Sequence, residues 1–242
     1  MKDTLGDRMK EFYEDRYRNL LQRRTYTIIR IDGKAFHTYT KGLKRPFDED
    51  LIEDMDKTGA YLCKNIMGAK FAFVQSDEIS ILLTDFDTLD TQAWFDNNIQ
   101  KMVSVSASMA TSEFNKLRKI RFQDFLYKEA QFDSRVFQIP TKTEVMNYFI
   151  WRQQDTVRNS ISSVAQSLYS SKELHGKNNS VKQEMIFQKG INWNDYIPKL
   201  KRGRLIIKNQ DLESNRTKWI STEVPIFTQE REFLDNLIPI NN

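Results

Sequence analysis

Tyr26-Thr27-Ile28-Ile29-Arg30-Ile31-Asp32-Gly33, followed later by Phe71-Ala72-Phe73-Val74-Gln75-Ser76-Asp77-Glu78-Ile79-Ser80-Ile81-Leu82-Leu83, are the stretches that decide how this chain folds. The first is a β-branched, apolar run over 26–31 that stops at Asp32-Gly33. The second reads as two short strands, 71–75 and 79–83, closed by Ser76-Asp77-Glu78 into a hairpin. Between them, 48–66 reads as a helix with Leu51, Met55, Leu62 and Ile66 on one stripe and acids in its first turn. A longer helix is expected over about 94–117, with Phe95, Ile99, Val103, Ala110 and Phe114 inward. A strand follows at 135–139, stopped by Pro140. The order is β-α-β-β-α-β, the split ferredoxin-like arrangement. Upstream, Leu5, Met9, Phe12, Tyr13 and Leu20 fall at helical spacing within 3–21. Beyond Thr141 the chain reads as mainly helical to about 189, with a short strand at 204–208. The expected fold class is α+β, a two-layer core with added helices and a short C-terminal β segment.

The chain has 242 residues with few glycines and prolines, eight and five, so there is little room for linkers. We read one catalytic domain over 1–242, with a core over about 22–140 and a helical, basic region over about 141–242. No apolar run approaches the ~18 residues of a membrane span, and charges run through the first twenty residues, so neither a membrane anchor nor a signal peptide is expected. One cysteine, Cys63, excludes an intrachain disulfide and fits a reducing, cytoplasmic setting. With two histidines, His37 and His175, a His/Cys zinc site would need nearly every such residue at one point. A catalytic metal is therefore expected to be hard and held by oxygen, meaning Mg²⁺ or Mn²⁺.

In the split topology, strand 1 and the hairpin of strands 2 and 3 lie side by side at the sheet centre, so Asp32 at a strand end and Asp77 at the hairpin tip converge. Two converging carboxylates are what two-metal phosphoryl transfer uses. Gly33, lacking a Cβ, lets its backbone approach a ligand closely and offers its carbonyl to a metal. Read singly, Asp-Gly and Ser-Asp-Glu are ordinary turns; the pairing is what points to chemistry. Lys44 and Arg45, just before Pro46, are candidates to neutralise a triphosphate. Between 172 and 208 stand nine Lys or Arg against three acids, interleaved with Phe187, Trp193 and Tyr196. Charge with aromatics is how RNA is held, and the net charge of +4 leans the same way. His37 is assigned to phosphate or base contact. The competing readings are a nucleotide cyclase-like palm enzyme acting on a free nucleotide and a non-catalytic RNA-binding protein.

Three segments carry a closer resemblance: Arg30-Ile31-Asp32-Gly33-Lys34-Ala35-Phe36-His37, Gln75-Ser76-Asp77-Glu78 and Tyr148-Phe149-Ile150-Trp151-Arg152-Gln153-Gln154-Asp155. With Lys182-Gln183-Glu184-Met185-Ile186-Phe187, Gly190-Ile191-Asn192-Trp193-Asn194 and Lys201-Arg202-Gly203, they resemble the tRNA-His guanylyltransferase family over nearly the whole chain. The resemblance implies a polymerase-palm-like nucleotidyltransferase working in reverse. A tRNA 5′-monophosphate is activated with ATP or GTP, and nucleoside triphosphates then add to that 5′ end. It implies Asp32, Gly33 and Asp77 as ligands of two Mg²⁺ ions, a third accompanying the triphosphate being left open. Asp32, Gly33, Lys34, Ala35, Phe36, His37, Lys44, Arg45, Ser76, Asp77, Lys182 and Asn192 would bind nucleotide, and Glu78 matches a further family carboxylate counted with Asp32 and Asp77 as catalytic. Arg152, Arg158, Asn159, Lys199, Lys201, Arg202 and Arg204 are the implied RNA contacts, and a homotetramer, a dimer of dimers, the implied assembly. Where eukaryotic members carry His-Ile-Asn-Asn, this chain reads Val157-Arg158-Asn159-Ser160. That departure resembles the guanylyltransferase-like branch of bacteria and archaea, which implies template-directed repair of 5′-truncated tRNA.

Overall fold

The computed structural model describes residues 4–122, 128–211 and 216–241. Its first element, α1 (Leu5–Met9), passes into a π turn and a 3-10 turn that end at Tyr17. The single long helix expected over 3–21 is thus broken; Asp3 lies outside the described residues. Leu5, Phe12, Tyr13 and Leu20 are exposed, so within this chain that stripe covers no core.

Strand β1 (Tyr26–Gly33) comes next. Its alternate side chains go to opposite faces of the sheet: Tyr26 and Ile28 to one, Ile29 and Ile31 to the other. Both faces are buried, which is why the run is nearly continuously apolar. The short helix α2 (Phe36–Tyr39) follows, then α3 (Glu49–Asn65), whose Asp48 N-cap accepts from Leu51 N–H at 2.8 Å. Strands β2 (Ala69–Gln75) and β3 (Glu78–Leu83) form the hairpin, with only Ser76 and Asp77 in its turn, so Glu78 belongs to the strand and not to the tip.

Helix α4 spans Ile99–Phe122 and starts later than the periodicity suggests. Phe95, Asp96 and Asn97 take positive φ in a separate 3-10 turn. Asn98 then caps the true start, its side chain accepting from Lys101 N–H at 3.0 Å. Phe95 is accordingly exposed. Strand β4 (Phe132–Ile139) and the 27-residue α5 (Lys142–Leu168) follow, the latter capped by Thr141. Short α6 (Ser171–Leu174), α7 (Asn179–Gln188) and α8 (Pro198–Lys201) lead to β5 (Arg204–Asp211). Strand β6 (Arg216–Glu223) and α9 (Arg231–Leu237) were not foreseen in the sequence.

The six strands are ordered β4-β1-β3-β2-β5-β6 and are antiparallel throughout. The first four make the split ferredoxin-like core, α+β as expected. Helices α3 and α4 cover one face through Met55, Leu62, Met102 and Phe114. Val145 and Phe149 of α5, with Leu234 of α9, cover the other. Between α3 and α4, Asp54 and Arg118 are almost wholly buried and paired at 3.1 Å, with Arg121 reaching the same carboxylate. No helix among the described residues is long and apolar enough to cross a membrane.

Candidate active site

Antiparallel pairing sets Asp32 opposite Glu78, at the end of β1 beside the start of β3. Gly33 N–H donates to the Asp77 carbonyl at 3.1 Å, which ties the strand end to the hairpin turn. Asp32 and Asp77 therefore line one cavity of about 650 Å³. A Cβ on Gly33 would stand 2.2 Å from the Phe36 ring, so glycine is required here for the close packing of α2 onto the strand. Two non-glycine residues take left-handed backbone at this spot, Ala35 (φ 54°) and Ser76 (φ 44°). Such backbone is uncommon outside glycine and is held in place by its surroundings.

The electrostatics are those of two crowded, partly buried carboxylates. Burial, the charge of Asp32 and that of Glu78 push the Asp77 carboxyl up to about 6, against the hydrogen bond from Ser76. Asp32 is also raised, first by burial and then by Glu78 and Asp133; Arg135 and Arg30 pull the other way. Arg135 approaches Asp32 only to 3.9 Å. Asp32 shares Arg135 with Asp133, and Asp77 forms no ion pair among the described residues; a hard oxygen donor set of this kind fits Mg²⁺, which takes few protein ligands and completes its shell with water and phosphate. Among the described residues no three His, Cys, Asp or Glu side chains cluster as a metal cage, so any ion here would rely on the pair, a backbone carbonyl and its substrate.

Glu78 is in a different position. Arg152 holds it bidentately at 2.8 and 2.6 Å, and Gln75 and Ser80 donate to the same oxygen that takes the Arg152 Nε. The Arg152 clamp fixes the carboxylate at the start of β3, with one hydrogen bond on Oε2 and three on Oε1. Arg152, expected as an RNA contact, is buried on the cavity wall and ion-paired to Glu78 and Asp155. Arg204 is likewise buried against Asp56, with Nε at 2.8 Å from the carboxylate. Lys201 is buried too, its ammonium on the Asn194 carbonyl and over the Trp193 ring. These three cations are used inside the protein. Arg158 stays largely exposed, Asn159 is exposed on the cavity wall, and Lys199 lies 3.8 Å from Glu49. Arg202 is half-buried at the end of α8.

Of the nucleotide-binding candidates, Phe36, His37 and Ser76 line the cavity with the two aspartates. Lys44 and Arg45 line an adjoining pocket of about 230 Å³ that shares Thr40, Gln75 and Ser76 with it. Lys182 reaches the cavity wall through Ser162, at 3.0 Å. Lys34 turns the other way and donates to Gln131 at 2.9 Å, in a separate groove. Ala35 contributes its left-handed backbone. Asn192 is exposed, and its side chain caps the short turn at Trp193–Asp195.

Sequence reasoning missed one wall. Beside Asn159, which the sequence already offered, Trp151, Asp155, Ser162, Ser163 and Gln166 of α5 face the cavity. Their spacing of three and four marks a single helical stripe, and a polar stripe on a helix otherwise packed against a sheet is the signal that would have found them.

The fold is shared with known proteins. Residues 6–140 match the family model described as tRNAHis guanylyltransferase. A solved bacterial tRNA(His) guanylyltransferase-like protein, in complex with ATP, is 47% identical, with a TM-score of 0.89 over 98% of this chain and 100% of that one. A solved complex of such a bacterial protein with GTP, also 47% identical, gives 0.84 over 97% and 99%. A probable tRNA(His) guanylyltransferase of Dictyostelium discoideum is 28% identical over 82% of this chain and 81% of its own length. Matched over more than half its length by the family model and nearly end to end by solved relatives, the chain belongs to the tRNA-His guanylyltransferase family, whose members are nucleotidyltransferases.

Proposed function

We propose that this protein adds nucleotides in the 3′-to-5′ direction to the 5′ end of truncated tRNA, directed by the opposite strand of the acceptor stem. In the first step the RNA 5′-phosphate attacks the α-phosphorus of ATP or GTP; a 5′-5′ nucleotidylated end forms and pyrophosphate leaves. In the second, the 3′-hydroxyl of an incoming nucleoside triphosphate attacks that 5′-phosphate, and AMP or GMP leaves. The observation that carries the reading is the convergence of Asp32 and Asp77, held by the Gly33–Asp77 backbone bond, at the mouth of a cavity with cations on its far side.

Asp32, Asp77 and the Gly33 carbonyl would hold two Mg²⁺ ions. When bound, magnesium lowers the pKa of the attacking hydroxyl and neutralises the leaving phosphate. The remaining work falls to the protein. Lys44 and Arg45 would meet the triphosphate in the pocket beyond Ser76, and Lys182, on Ser162, would meet a second phosphate group. The loop over 32–37 and Ser76 would line the same nucleotide and its phosphates. Glu78, clamped by Arg152, keeps the hairpin that carries Asp77 in register with β1. The solved complexes of bacterial relatives with ATP and with GTP support the same nucleotides here. We also assign a homotetramer to the assembled enzyme, on the family likeness alone.

A gel assay tests this. It uses 5′-labelled, 5′-monophosphorylated tRNA lacking its first nucleotide, with ATP, the four nucleoside triphosphates and Mg²⁺, and Asp77→Ala as control. Extension by the nucleotide complementary to the acceptor 3′ strand is expected, and its loss in the variant. Conversion of free nucleotide without extension would replace this reading with a cyclase-type one, and RNA binding without turnover would replace it with a binding role.

A further inference from the structure

The cavity has two unlike ends. Beyond Ser76 it adjoins the smaller pocket walled by Leu43, Lys44, Arg45, Pro46 and Phe47, which is assigned above to the free nucleotide. At the carboxylate end, the cavity wall carries Trp151. Trp151 is 45% exposed although its helix neighbours Tyr148, Phe149 and Ile150 are all buried, so the packing of α5 does not account for an indole at this position. The ring is held in place all the same. Arg152, fixed by Glu78, lies with its guanidinium carbon 4.4 Å from the ring centroid; Arg30 lies at 5.8 Å, and Tyr148 meets the ring edge-on. The Arg30 Nε is buried without a hydrogen-bond partner. Two turns further along the same face of α5, Arg158 is exposed. A pre-positioned aromatic ring flanked by guanidinium groups is the construction that stacks a nucleobase while its phosphates stay within reach of positive charge.

We propose that Trp151 is the stacking platform for the terminal base at the 5′ end of the RNA substrate. The inference rests on the function proposed above and deepens it: the smaller pocket takes the free nucleotide, and the indole takes the end of the polymer. Placed there, the terminal base stacks on a ring that cannot shift, and its 5′-phosphate is oriented towards Asp32 and Asp77.

The test is a double-mutant cycle on binding. Fluorescence anisotropy would compare wild type, Trp151→Phe and Trp151→Leu on 5′-monophosphorylated tRNA lacking its first nucleotide. The second RNA is the same molecule with an abasic 5′-terminal nucleotide. Trp151→Leu is expected to bind the intact RNA about 5- to 100-fold more weakly, with Trp151→Phe recovering most of the loss. The abasic RNA should bind wild type as weakly as the intact RNA binds the Leu variant, and that variant should not distinguish the two RNAs. The proposal is overturned if Leu serves as well as Phe, or if the two losses multiply. It is also overturned if ATP affinity measured without RNA falls as far as RNA affinity, because the ring would then serve the free nucleotide. Wild type that neither binds nor extends RNA removes the proposed function as a whole. Wild type that does both, with an additive cycle, removes only the stacking role.

Discussion

Asp77→Asn should make the metal-free protein more stable. The Asp77 carboxyl is pushed from its ordinary 3.8 up to about 6 by burial and by its neighbours Asp32 and Glu78. The folded state therefore keeps this proton longer than the unfolded state does. The group's contribution to stability is full below about pH 3.8 and is lost as pH rises through 6. Above that pH, a displacement of this size corresponds to about 3 kcal/mol of destabilisation. Asparagine keeps the size and removes the charge but weakens the bond from Ser76, so a gain of about 1–3 kcal/mol is expected at pH 8. Urea denaturation in EDTA at pH 8 would show a higher midpoint at unchanged slope, with the difference shrinking towards pH 5. Added Mg²⁺ should raise the wild-type midpoint by binding the native pair and raise that of the variant far less. An Asn variant no more stable than wild type in EDTA at pH 8 would refute the electrostatic argument. Equal stabilisation of both proteins by Mg²⁺ would refute the assignment of the ion to this pair.

Other consequences follow from particular contacts. Gly33→Ala sets a methyl against the Phe36 ring at 2.2 Å, so it should displace α2 and cut nucleotide addition at least tenfold while the chain stays folded; near-normal kinetics would show that the α2 placement is not needed. Lys182→Ala should lower the rate of addition more than it lowers RNA affinity, since Lys182 sits on Ser162 at the cavity; equal losses in binding and turnover would make it a plain RNA contact. Asp54→Ala strands Arg118, which is 2% exposed between α3 and α4, and should cost about 3–5 kcal/mol in urea unfolding. A loss under about 1 kcal/mol would mean that water reaches Arg118 and that the pair contributes no more than a surface one.

Much of the architecture was legible in the sequence because period and punctuation agree there. The β-branched apolar run Tyr26–Ile31, the two strands flanking Ser76-Asp77 and the stripe of α3 all end up buried in the core. The break at Asn97 was not legible, because three consecutive positive-φ residues leave no mark in a hydrophobic pattern. Strand β6 was missed because it is an edge strand, largely exposed, and carries little apolar periodicity. The N-terminal stripe was legible as a pattern but finds no partner surface within the chain.

The site divides in the same way. Asp32 and Asp77 could be paired from the sequence alone, since a split β-α-β-β topology brings the end of its first strand to the tip of its hairpin. Which cations serve the site was decided only by tertiary structure. A string of Lys and Arg says nothing about where each one points, and a buried guanidinium has to find a carboxylate. Arg152 takes Glu78, Arg204 takes Asp56, and Lys201 turns inward onto a carbonyl. What remains for a phosphate is set by those internal pairings, because an ion pair formed between distant parts of the chain exists only once the fold has brought its members together.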